Sequence, residues 1–562
     1  MLLSRNTVRG SVTAGVIIGF MAASLPGPAS AQSAQAAPSP RAAAQPGPQH
    51  TTLARGEGGL TVDSLAVPGP GAASRSAGTA AELAPTRVEP FQLVGVTWRA
   101  GSTPAAAAVQ LRVRSSGSWT GWTDLALDDD EGPTAAQEPE ARAGTGPVWV
   151  GDADGVAVRV TSASGAAPAD LQVVTVDPGD EPAGSPGSST GSRAAATARP
   201  ASGAALRRAP SFPHKPKVIS RKRWGADPRL TEHCSSPRYG RTARMVFVHH
   251  TVNSNNYRPR EARGIVRGIY AYHTQGQNWC DIGYNALIDR FGNVYEGRRG
   301  GLSKPVRGAH SGDYNTGTVG VSMIGNFDVA RTPKRMRNAL VRFIGWRLGT
   351  SYKPVRGGVS VGGARFSRIA GHRDAMSTAC PGRYLYAQLP RIRKRTAQYL
   401  SRYHSRLERK ADRLGKKRTG SVWKGERPVK KGYRTVFHRG VMFGKRGAGT
   451  HFLRGRTLSR YQRTGGPKGV LGWPTSKAKP SSVRRVRVLA TQRGRVYLPK
   501  GKPARVLHGP VYRRYRSTGL ATGRLGLPRT SVKRTPQGQR ARFRHGVINW
   551  NRQNGGTTVR YR

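Results

Sequence analysis

Short apolar segments separated by turn residues characterise the chain between residues 85 and 178. The segments are rich in β-branched and aromatic residues, and clusters of Gly, Ser, Asp or Pro lie between them. Segments of this length and spacing are typical of small all-β domains. We therefore predict an N-terminal all-β, sandwich-like domain over residues 85–178. Its predicted strands are 91–98, 109–113, 148–150, 156–160 and 171–176.

The hydrophobic period changes twice in the middle of the chain, where strands and helices interleave. Compact apolar runs indicate strands, and apolar residues spaced three and four apart indicate helices with one buried face. The predicted elements are strands at 245–249, 285–289, 294–296 and 319–324, helices at 260–275 and 333–348, and a basic closing helix at about 384–414. This order predicts a central α/β domain over residues 216–414, a mixed sheet flanked by helices.

A repeat of about 54 residues occupies the last part of the chain. Leu471-Gly472-Trp473-Pro474 recurs 54 positions later as Leu525-Gly526-Leu527-Pro528. A second mark, Gly-Val-x-aromatic or a close variant, starts at Gly440, Gly494 and Gly546. These marks predict basic, β-rich repeats over residues 415–562, with two full units and a third cut short. The pattern resembles the LGFP repeats of exported proteins of high-GC Gram-positive bacteria, which implies a role in attachment to the cell wall.

Segments without apolar periodicity precede and separate these domains. Residues 1–31 have the charge order, apolar run and small-residue cleavage site of a secretory signal peptide, with a retained membrane anchor as the alternative. Residues 32–84 have the Ala, Pro, Gly and Ser content of a disordered leader, and residues 179–215 that of a linker. We expect a secreted protein, extracellular or cell-wall associated, without a transmembrane anchor after signal cleavage.

Positive charge is concentrated towards the end of the chain. The net charge is −4 over residues 1–200, +27 over residues 201–400 and +41 over residues 401–562. A polybasic surface binds polyanions, and after export the available polyanions are anionic cell-wall polymers or anionic lipid. Specific nucleic-acid binding is not expected of an exported protein. Binding to DNA in vitro would decide little, because a polybasic segment binds phosphate chains whatever its role.

The chain has three cysteines, Cys234, Cys280 and Cys380. An odd number in an exported protein means that at least one thiol does not pair within the chain. We propose a disulfide between Cys234 and Cys280, with Cys380 left to bind metal. The alternative is three buried thiols.

Histidines near Cys380 suggest a metal site in the central domain. His249-His250 ends a predicted strand, and His372 lies eight residues before Cys380. Two imidazoles and a thiolate leave a zinc ion one open position, as hydrolytic zinc sites require. Since neighbouring strand residues face opposite ways, His250 should not share the metal with His249. On spacing alone, histidines packed in the core remain the alternative.

Eight motifs in order carry a family resemblance over about residues 220–400. They are Arg223-Trp224-Gly225-Ala226, Val248-His249-His250-Thr251, Trp279-Cys280-Asp281-Ile282-Gly283-Tyr284-Asn285, Val294-Tyr295-Glu296-Gly297-Arg298, Gly308-Ala309-His310, Tyr314-Asn315-Thr316, the stretch 320–326, and Gly371-His372-Arg373 with Cys380-Pro381-Gly382. The set resembles the peptidoglycan recognition protein family and the related phage lysozyme amidases. The resemblance implies Zn²⁺ bound by His249, His372 and Cys380.

The same resemblance implies roles for other residues of the site. Tyr284 lies beside the metal, where its hydroxyl positions water or stabilises an oxyanion. Thr378, the second implied catalytic residue, takes a position that some relatives fill with lysine, where its hydroxyl can donate to the tetrahedral intermediate. The positions implied for the peptide groove are His273, His310, Tyr314 and Asn315. For each of these residues a structural role is the alternative, and for Tyr284 it is a strand tyrosine packed in the core.

These features predict a secreted, zinc-dependent N-acetylmuramoyl-L-alanine amidase, a hydrolase of a linear amide bond in peptidoglycan that is retained on the wall by its basic repeats. One alternative is a recognition protein that binds peptidoglycan without cutting it. Another is a wall-anchored structural protein with a vestigial amidase domain.

Overall fold

The computed structural model describes residues 49–69, 79–127, 132–180, 212–235, 237–403 and 405–562. The predicted signal peptide, the start of the predicted leader and most of the predicted linker lie outside the described residues. Across these described ranges, no helix has both the length and the apolar character needed to cross a membrane.

The first domain is all-β, as predicted. Its described strands form one hydrogen-bonded sheet in the order β1-β2-β9-β3-β8-β4-β5, with β6 paired to β4 and β7 paired to β3. The long strands β3 and β8 change register several times along their pairing, so the sheet bends around its own core. The strands are β1 (His50–Arg55), β2 (Thr61–Ala66), β3 (Thr79–Trp98), β4 (Ala108–Ser115), β5 (Ser118–Trp119), β6 (Thr123–Leu125), β7 (Ala143–Gly144), β8 (Val148–Thr161) and β9 (Gln172–Asp177).

The predicted disordered leader over residues 32–84 is wrong for residues 50–66 and 79–84, which form strands and a short turn of helix. Strand β1 pairs with β2, and β2 pairs along its whole length with β9. Leu60 and Val62 are buried in a core that β2 and β9 share with the central domain. The Ala and Gly content of the surrounding sequence masks the short apolar strand β2. Its partner β9 lies more than 100 residues away in sequence.

The central domain is an α/β fold built on a mixed sheet of order β10-β13-β12-β14-β11-β17. Helices α3 and α5 pack on one face of the sheet, and helix α2 packs on the other. The strands are β10 (Val218–Ile219), β11 (Val246–His250), β12 (Ala286–Ile288), β13 (Val294–Glu296), β14 (Gly320–Met323), the β15–β16 hairpin (Gly358–Val361 and Ala364–Ser367) and β17 (Ile369–Gly371). The helices are α1 (Arg221–Trp224), α2 (Glu261–Ala271), α3 (Lys334–Gly349), α4 (Arg383–Tyr386) and α5 (Leu389–Leu400).

The single basic helix predicted at 384–414 is wrong. The chain there forms α4, α5 and a further helix α6 (Arg406–Leu414). Pro390 occupies the first turn of α5, where its missing N–H costs no helical hydrogen bond, and so favours a new helix start. Ser405 begins α6 as an N-cap, since its hydroxyl accepts a hydrogen bond from the Glu408 backbone N–H at 3.0 Å.

The β domain and the central domain share one apolar core. Leu93 and Trp149 of the β domain pack in the same cluster as Ile265 and Ile269 of α2. Tyr272 lies so close to the β domain that a Cβ added at Gly95 would sit 2.5 Å from its ring. The interface is therefore a continuous, close-packed one rather than a loose contact between domains.

The C-terminal region contains three antiparallel four-stranded sheets within the described residues 405–562. Helix α7 (Lys416–Thr419) precedes the first sheet, and helices α8 (Gly455–Arg463) and α9 (Gly509–Ser517) follow the first and the second. The sheets comprise β18 (Val422–Val429), β19 (Gly432–Phe437), β20 (Gly440–Lys445) and β21 (Gly449–Leu453); β22 (Lys479–Pro480), β23 (Val486–Thr491), β24 (Gly494–Pro499) and β25 (Arg505–His508); and β26 (Lys533–Thr535), β27 (Gly538–Phe543), β28 (Gly546–Asn551) and β29 (Thr557–Tyr561).

The two Leu-Gly-x-Pro segments form similar turns. Gly472 and Gly526 both adopt left-handed backbone conformations, with φ of 68° and 67°. Each glycine carbonyl accepts a hydrogen bond of 2.6 Å from a buried tyrosine hydroxyl, Tyr461 in one unit and Tyr515 in the next. Equivalent residues therefore close equivalent turns, which explains the Leu-Gly-x-Pro mark.

Candidate metal centre

Two parallel strands of the central sheet end side by side at the candidate site. Val248 of β11 is in register with Gly371 of β17. The residue after each of these two is a histidine, His249 within β11 and His372 directly after β17, and their ring centroids lie 4.6 Å apart. Side chains that leave the carboxyl ends of adjacent parallel strands meet at one edge of the sheet.

His250 points away from this edge, as strand alternation predicts. Its Nδ1 accepts a hydrogen bond from the Phe327 backbone N–H at 3.2 Å, and its Nε2 lies 3.8 Å from a carboxylate oxygen of Asp328. Its backbone N–H faces the site and lies 3.4 Å from the Cys380 sulfur.

The turn after β17 brings Cys380 back to the two histidines. The Arg373 backbone N–H donates to the Cys380 carbonyl at 2.9 Å, and the Cys380 N–H donates to the Thr378 hydroxyl oxygen at 3.1 Å. Asp374 fixes the turn by accepting from the Gly371 N–H and from the Tyr386 hydroxyl. That hydrogen bond to Asp374 raises the pKa of Tyr386, because it favours the protonated phenol.

The side chains of His249, His372 and Cys380 form a metal-binding geometry. One ligand atom from each residue lies within 4.8 Å of the others, and all three residues are buried. Two imidazoles and a thiol match the donors that zinc prefers, and three protein ligands are the number found in hydrolytic zinc sites. Among the described residues, this is the one group of three or more His, Cys, Asp or Glu side chains with the spacing of metal ligands.

His310 contacts His249 directly. Its Nδ1 lies 3.2 Å from His249 Nε2 and 2.9 Å from the Ser311 hydroxyl. The other ring nitrogen of His249, Nδ1, lies 3.8 Å from the Cys380 sulfur. His310 therefore orients a candidate ligand, a role that sequence analysis, which assigned His310 to the groove, did not identify.

Tyr284 and Thr378 line a small cavity beside Cys380, with a volume of about 70 Å³. The Tyr284 ring centroid lies 5.4 Å from that of His249. The structure thus brings together the three predicted ligands and the two predicted catalytic side chains. Four residues of the β domain complete the cavity wall: Ala126, Leu127, Gly146 and Pro147.

The four residues predicted for the peptide groove do not share one environment. His273 stacks on Trp279, with centroids 4.5 Å apart, and accepts from the Gly283 N–H. Tyr314 packs edge-on against Phe366 in a separate apolar cluster under the β15–β16 hairpin. The Asn315 side chain holds its own loop by accepting from the His310 and Ser311 backbone N–H groups.

The predicted disulfide between Cys234 and Cys280 is present, and Cys380 is a buried thiol outside it. Next to Cys280, Asp281 is buried and pairs with Arg221 at 2.9 Å. The disulfide and this ion pair together fix residues 280–281, four and three positions before Tyr284.

Comparisons with known proteins agree with this architecture. Residues 239–383 match the family described as N-acetylmuramoyl-L-alanine amidase, and residues 37–185 match the family described as Rv3811 N-terminal galactose-binding domain-like. The second match starts inside the predicted leader, in agreement with the strands found there.

Relatives match the central part of the chain. A peptidoglycan-recognition protein of Drosophila simulans is 31% identical over 176 residues, which are 31% of this chain and 85% of that protein. Peptidoglycan recognition protein 1 of Mus musculus is 33% identical over 171 residues, 30% of this chain and 84% of that protein. The solved structure of wild-type Drosophila PGRP-LB is 30% identical, with 31% of this chain and 92% of that chain covered and a TM-score of 0.26.

Proposed function

The chain belongs to the peptidoglycan recognition protein family through its central domain, and from this premise we propose that it is a zinc-dependent N-acetylmuramoyl-L-alanine amidase. Its substrate is the amide between the lactyl group of muramic acid and the L-alanine of the stem peptide. The observation that carries the proposal is the buried His249, His372 and Cys380 cluster, with one ligand atom of each within 4.8 Å of the others.

The residues around this cluster suit hydrolysis of an amide. Zinc held by such a set supplies a Lewis acid and lowers the pKa of a water molecule that it binds. The Tyr284 hydroxyl donates a hydrogen bond to the oxygen on which negative charge develops when the amide carbon becomes tetrahedral. The Thr378 hydroxyl lines the same cavity and donates to the same oxygen, while it accepts from the Cys380 N–H.

A peptidoglycan-binding protein without activity is the competing function within the family. It requires neither a complete ligand set nor hydroxyl groups placed beside it. The retention of Cys380, together with Tyr284 and Thr378 in one cavity, therefore favours an enzyme.

The first test is incubation of the purified protein with peptidoglycan, followed by mass spectrometry of the released peptides. We expect free stem peptides that begin at L-alanine, their loss on treatment with a chelator, and their return when zinc is added back. Cys380→Ala and His372→Ala should abolish release, whereas His233→Ala, which changes an exposed histidine, should not. Binding without release of peptide would instead identify a recognition protein.

We further propose that the protein is exported and that its basic repeats hold it on anionic wall polymers, as the resemblance to LGFP repeats implies. A cavity of about 330 Å³ between α6, β21 and the loop before β22 supports this proposal. Its cationic lining residues are Lys410, Arg418, Arg454, Lys477, Lys479 and Arg487. Residues 401–562 contain three acidic residues, all within the described part, and none of the three lines this cavity.

The chemistry of this cavity fits a phosphate group. Hydroxyl groups of Thr450, Thr475 and Ser476 stand among the cations. Desolvation, together with the charge of Lys410, lowers the pKa of His451 in the same lining. The six cations and the three hydroxyl groups together favour a multivalent anion that accepts several hydrogen bonds.

A further inference from the structure

Residues 132–147 of the β domain, here called the strap, lie against the face of the central domain that carries the metal centre. The strap runs between β6 and β8 and includes the short strand β7. From its contacts we propose that the strap is an autoinhibitory segment, which keeps peptidoglycan out of the groove until it is displaced. The inference rests on the proposed function, because it takes the groove beside the metal centre to be the substrate site.

The first end of the strap is held by the loop that carries Asn315. The Asn315 side-chain amide donates to the Gly132 carbonyl at 3.3 Å, and the Gln137 side-chain amide donates to the Gly312 carbonyl at 3.1 Å. Gly132 also lies against the Trp279 indole, where an added Cβ would sit 2.7 Å from the ring. Only a residue without a side chain fits this contact.

The middle of the strap places a carboxylate in the central domain. Glu138 pairs with Arg298, and both side chains are at most 10% exposed. The second carboxylate oxygen of Glu138 accepts from the Cys280 backbone N–H at 2.7 Å. The Arg298 guanidinium and the Cys280 N–H therefore face the strap. An acidic peptide bound in the groove would use the same two hydrogen-bond donors.

The last part of the strap reaches the cavity beside Cys380. The Arg142 N–H donates to the Gln277 carbonyl at 2.8 Å, and the Arg142 carbonyl accepts from the Trp279 indole N–H at 3.4 Å. Gly146 and Pro147 then form part of the wall of the cavity beside Cys380.

The space left by the strap is too small for the proposed substrate. The cavity has a volume of about 70 Å³, whereas sites for drug-sized ligands have volumes of about 300–1,000 Å³. A muramyl peptide exceeds the lower end of that range, and displacement of the strap from Trp279 and Arg298 would widen the approach to Tyr284 and Thr378.

Residues 132–141 of the strap contact the central domain, whereas residues 142–145 are tied to the rest of the β domain by the pairing of β7 with β3 and by the ion pair of Arg142 with Asp170. Leu93 and Trp149 hold the domain to α2 through an apolar core that does not include the strap. Residues 132–141 are held to the central domain mainly by hydrogen bonds and by the ion pair of Glu138 with Arg298, contacts that a polar ligand can replace in kind. Release of the strap therefore does not require the two domains to separate.

Two strap variants of the full chain test the proposal, with a third as control. Glu138→Gln removes the charge that pairs with Arg298, and Gly132→Leu places a side chain against Trp279. Glu140→Gln makes the same charge change two positions away, at an exposed side chain of the strap. Hydrogen exchange over residues 277–283 and 309–315 reports whether the strap is released. Calorimetry with a soluble muramyl peptide, in the Cys380→Ala background, reports binding without turnover.

We expect faster exchange in both segments and at least about tenfold tighter binding for Glu138→Gln and Gly132→Leu, with no change for Glu140→Gln. Faster exchange with unchanged or weaker binding would overturn the proposal and make the strap a wall of the substrate site. Unchanged exchange in both variants would also overturn it, because the strap would not be held by these contacts. Tighter binding without hydrolysis in the Cys380-containing chains would support autoinhibition and count against the amidase.

Discussion

The hydroxyl of Tyr284 is the one group of the site whose chemistry can be separated from its packing. Its ring packs beside His249 and His273, with centroid distances of 5.4 and 5.9 Å. Tyr284→Phe keeps these ring contacts and removes only the hydrogen-bond donor. We expect kcat to fall by about 100-fold or more with zinc content unchanged, since loss of one oxyanion donor has an effect of this size.

Steady-state kinetics and metal analysis of Tyr284→Phe check this expectation. Tyr270→Phe is the matched control, because its buried hydroxyl donates to the Asp227 carbonyl at 2.7 Å, a structural contact. The control should lose about 1 kcal/mol of stability and keep its kcat. An unchanged kcat in Tyr284→Phe would assign Tyr284 to packing.

The contact between His310 and His249 leads to a second residue-scale prediction. A partner that fixes the ring of a metal-binding histidine contributes about 10- to 100-fold to metal affinity. His310→Ala should therefore weaken zinc binding by about that factor, measured by competition with a chelating dye. If its zinc affinity equals that of the parent protein, His310 belongs to the groove instead, as the sequence resemblance implied.

At this scale the sequence motifs were sufficient to find the residues that converge. His249 is the last residue but one of β11 and His372 directly follows β17, so parallel pairing places them together. The contacts of the strap could not be predicted in this way. Glu138 meets Arg298 across 160 positions, and no periodic pattern links a turn-rich segment of one domain to an arginine of the next.

Single elements were predicted where one buried face dictates the pattern. The helix expected at 333–348 is α3, and the strand expected at 245–249 is β11, each shifted by one residue. The errors fall where local composition competes with tertiary pairing. The leader contains strands that depend on β9, and the basic helix divides where Ser405 offers a new N-cap.

Strand β18 carries an element-scale prediction of pH dependence. Glu426 is buried between the first repeat sheet and the central domain, where it accepts from the hydroxyls of Tyr352 at 2.7 Å and Ser405 at 2.5 Å. Burial raises the pKa of Glu426 to about 7. The folded protein thus holds a proton that the unfolded chain releases above its ordinary pKa of about 4.5.

The stabilising contribution of Glu426 is complete below its unfolded pKa and is lost as the pH rises through about 7. Glu426→Gln, which stays neutral, should be more stable than the parent at about pH 8, by on the order of 2 kcal/mol. Thermal unfolding from about pH 5 to pH 8 measures this difference. Glu89→Gln, the same change at an exposed position of β3, is the control and should follow the parent. Parallel curves for parent and Glu426→Gln would contradict the prediction.

For the whole molecule, the uneven distribution of charge is the basis of the proposed wall binding. Residues 401–562 hold a net charge of +41, and the cavity beside α6 concentrates six of these cations. We expect retention on purified walls to fall steeply between about 0.05 and 0.5 M salt, because screening weakens exposed charge pairs.

Matched charge reversals locate the surface responsible. Lys477→Glu with Arg487→Glu changes the cavity, whereas Lys431→Glu with Arg552→Glu makes the same change in net charge at exposed positions elsewhere. The cavity pair should weaken wall binding about tenfold more than the control pair, which co-sedimentation measures. Equal losses for the two pairs would mean that the repeats act through net charge alone.

The first repeat packs directly against the central domain, and this packing bears on which peptidoglycan bonds the proposed amidase would reach. Glu426, Tyr352 and Ser405 bind β18 to the catalytic domain without an intervening flexible linker. The distance from the wall-binding surface to the catalytic centre is then a fixed length rather than a distribution. If the central domain is an amidase and the repeats bind an anionic polymer, as proposed, the point of attachment sets the reach of the enzyme, and cuts should cluster at a constant spacing from it instead of scattering over the network.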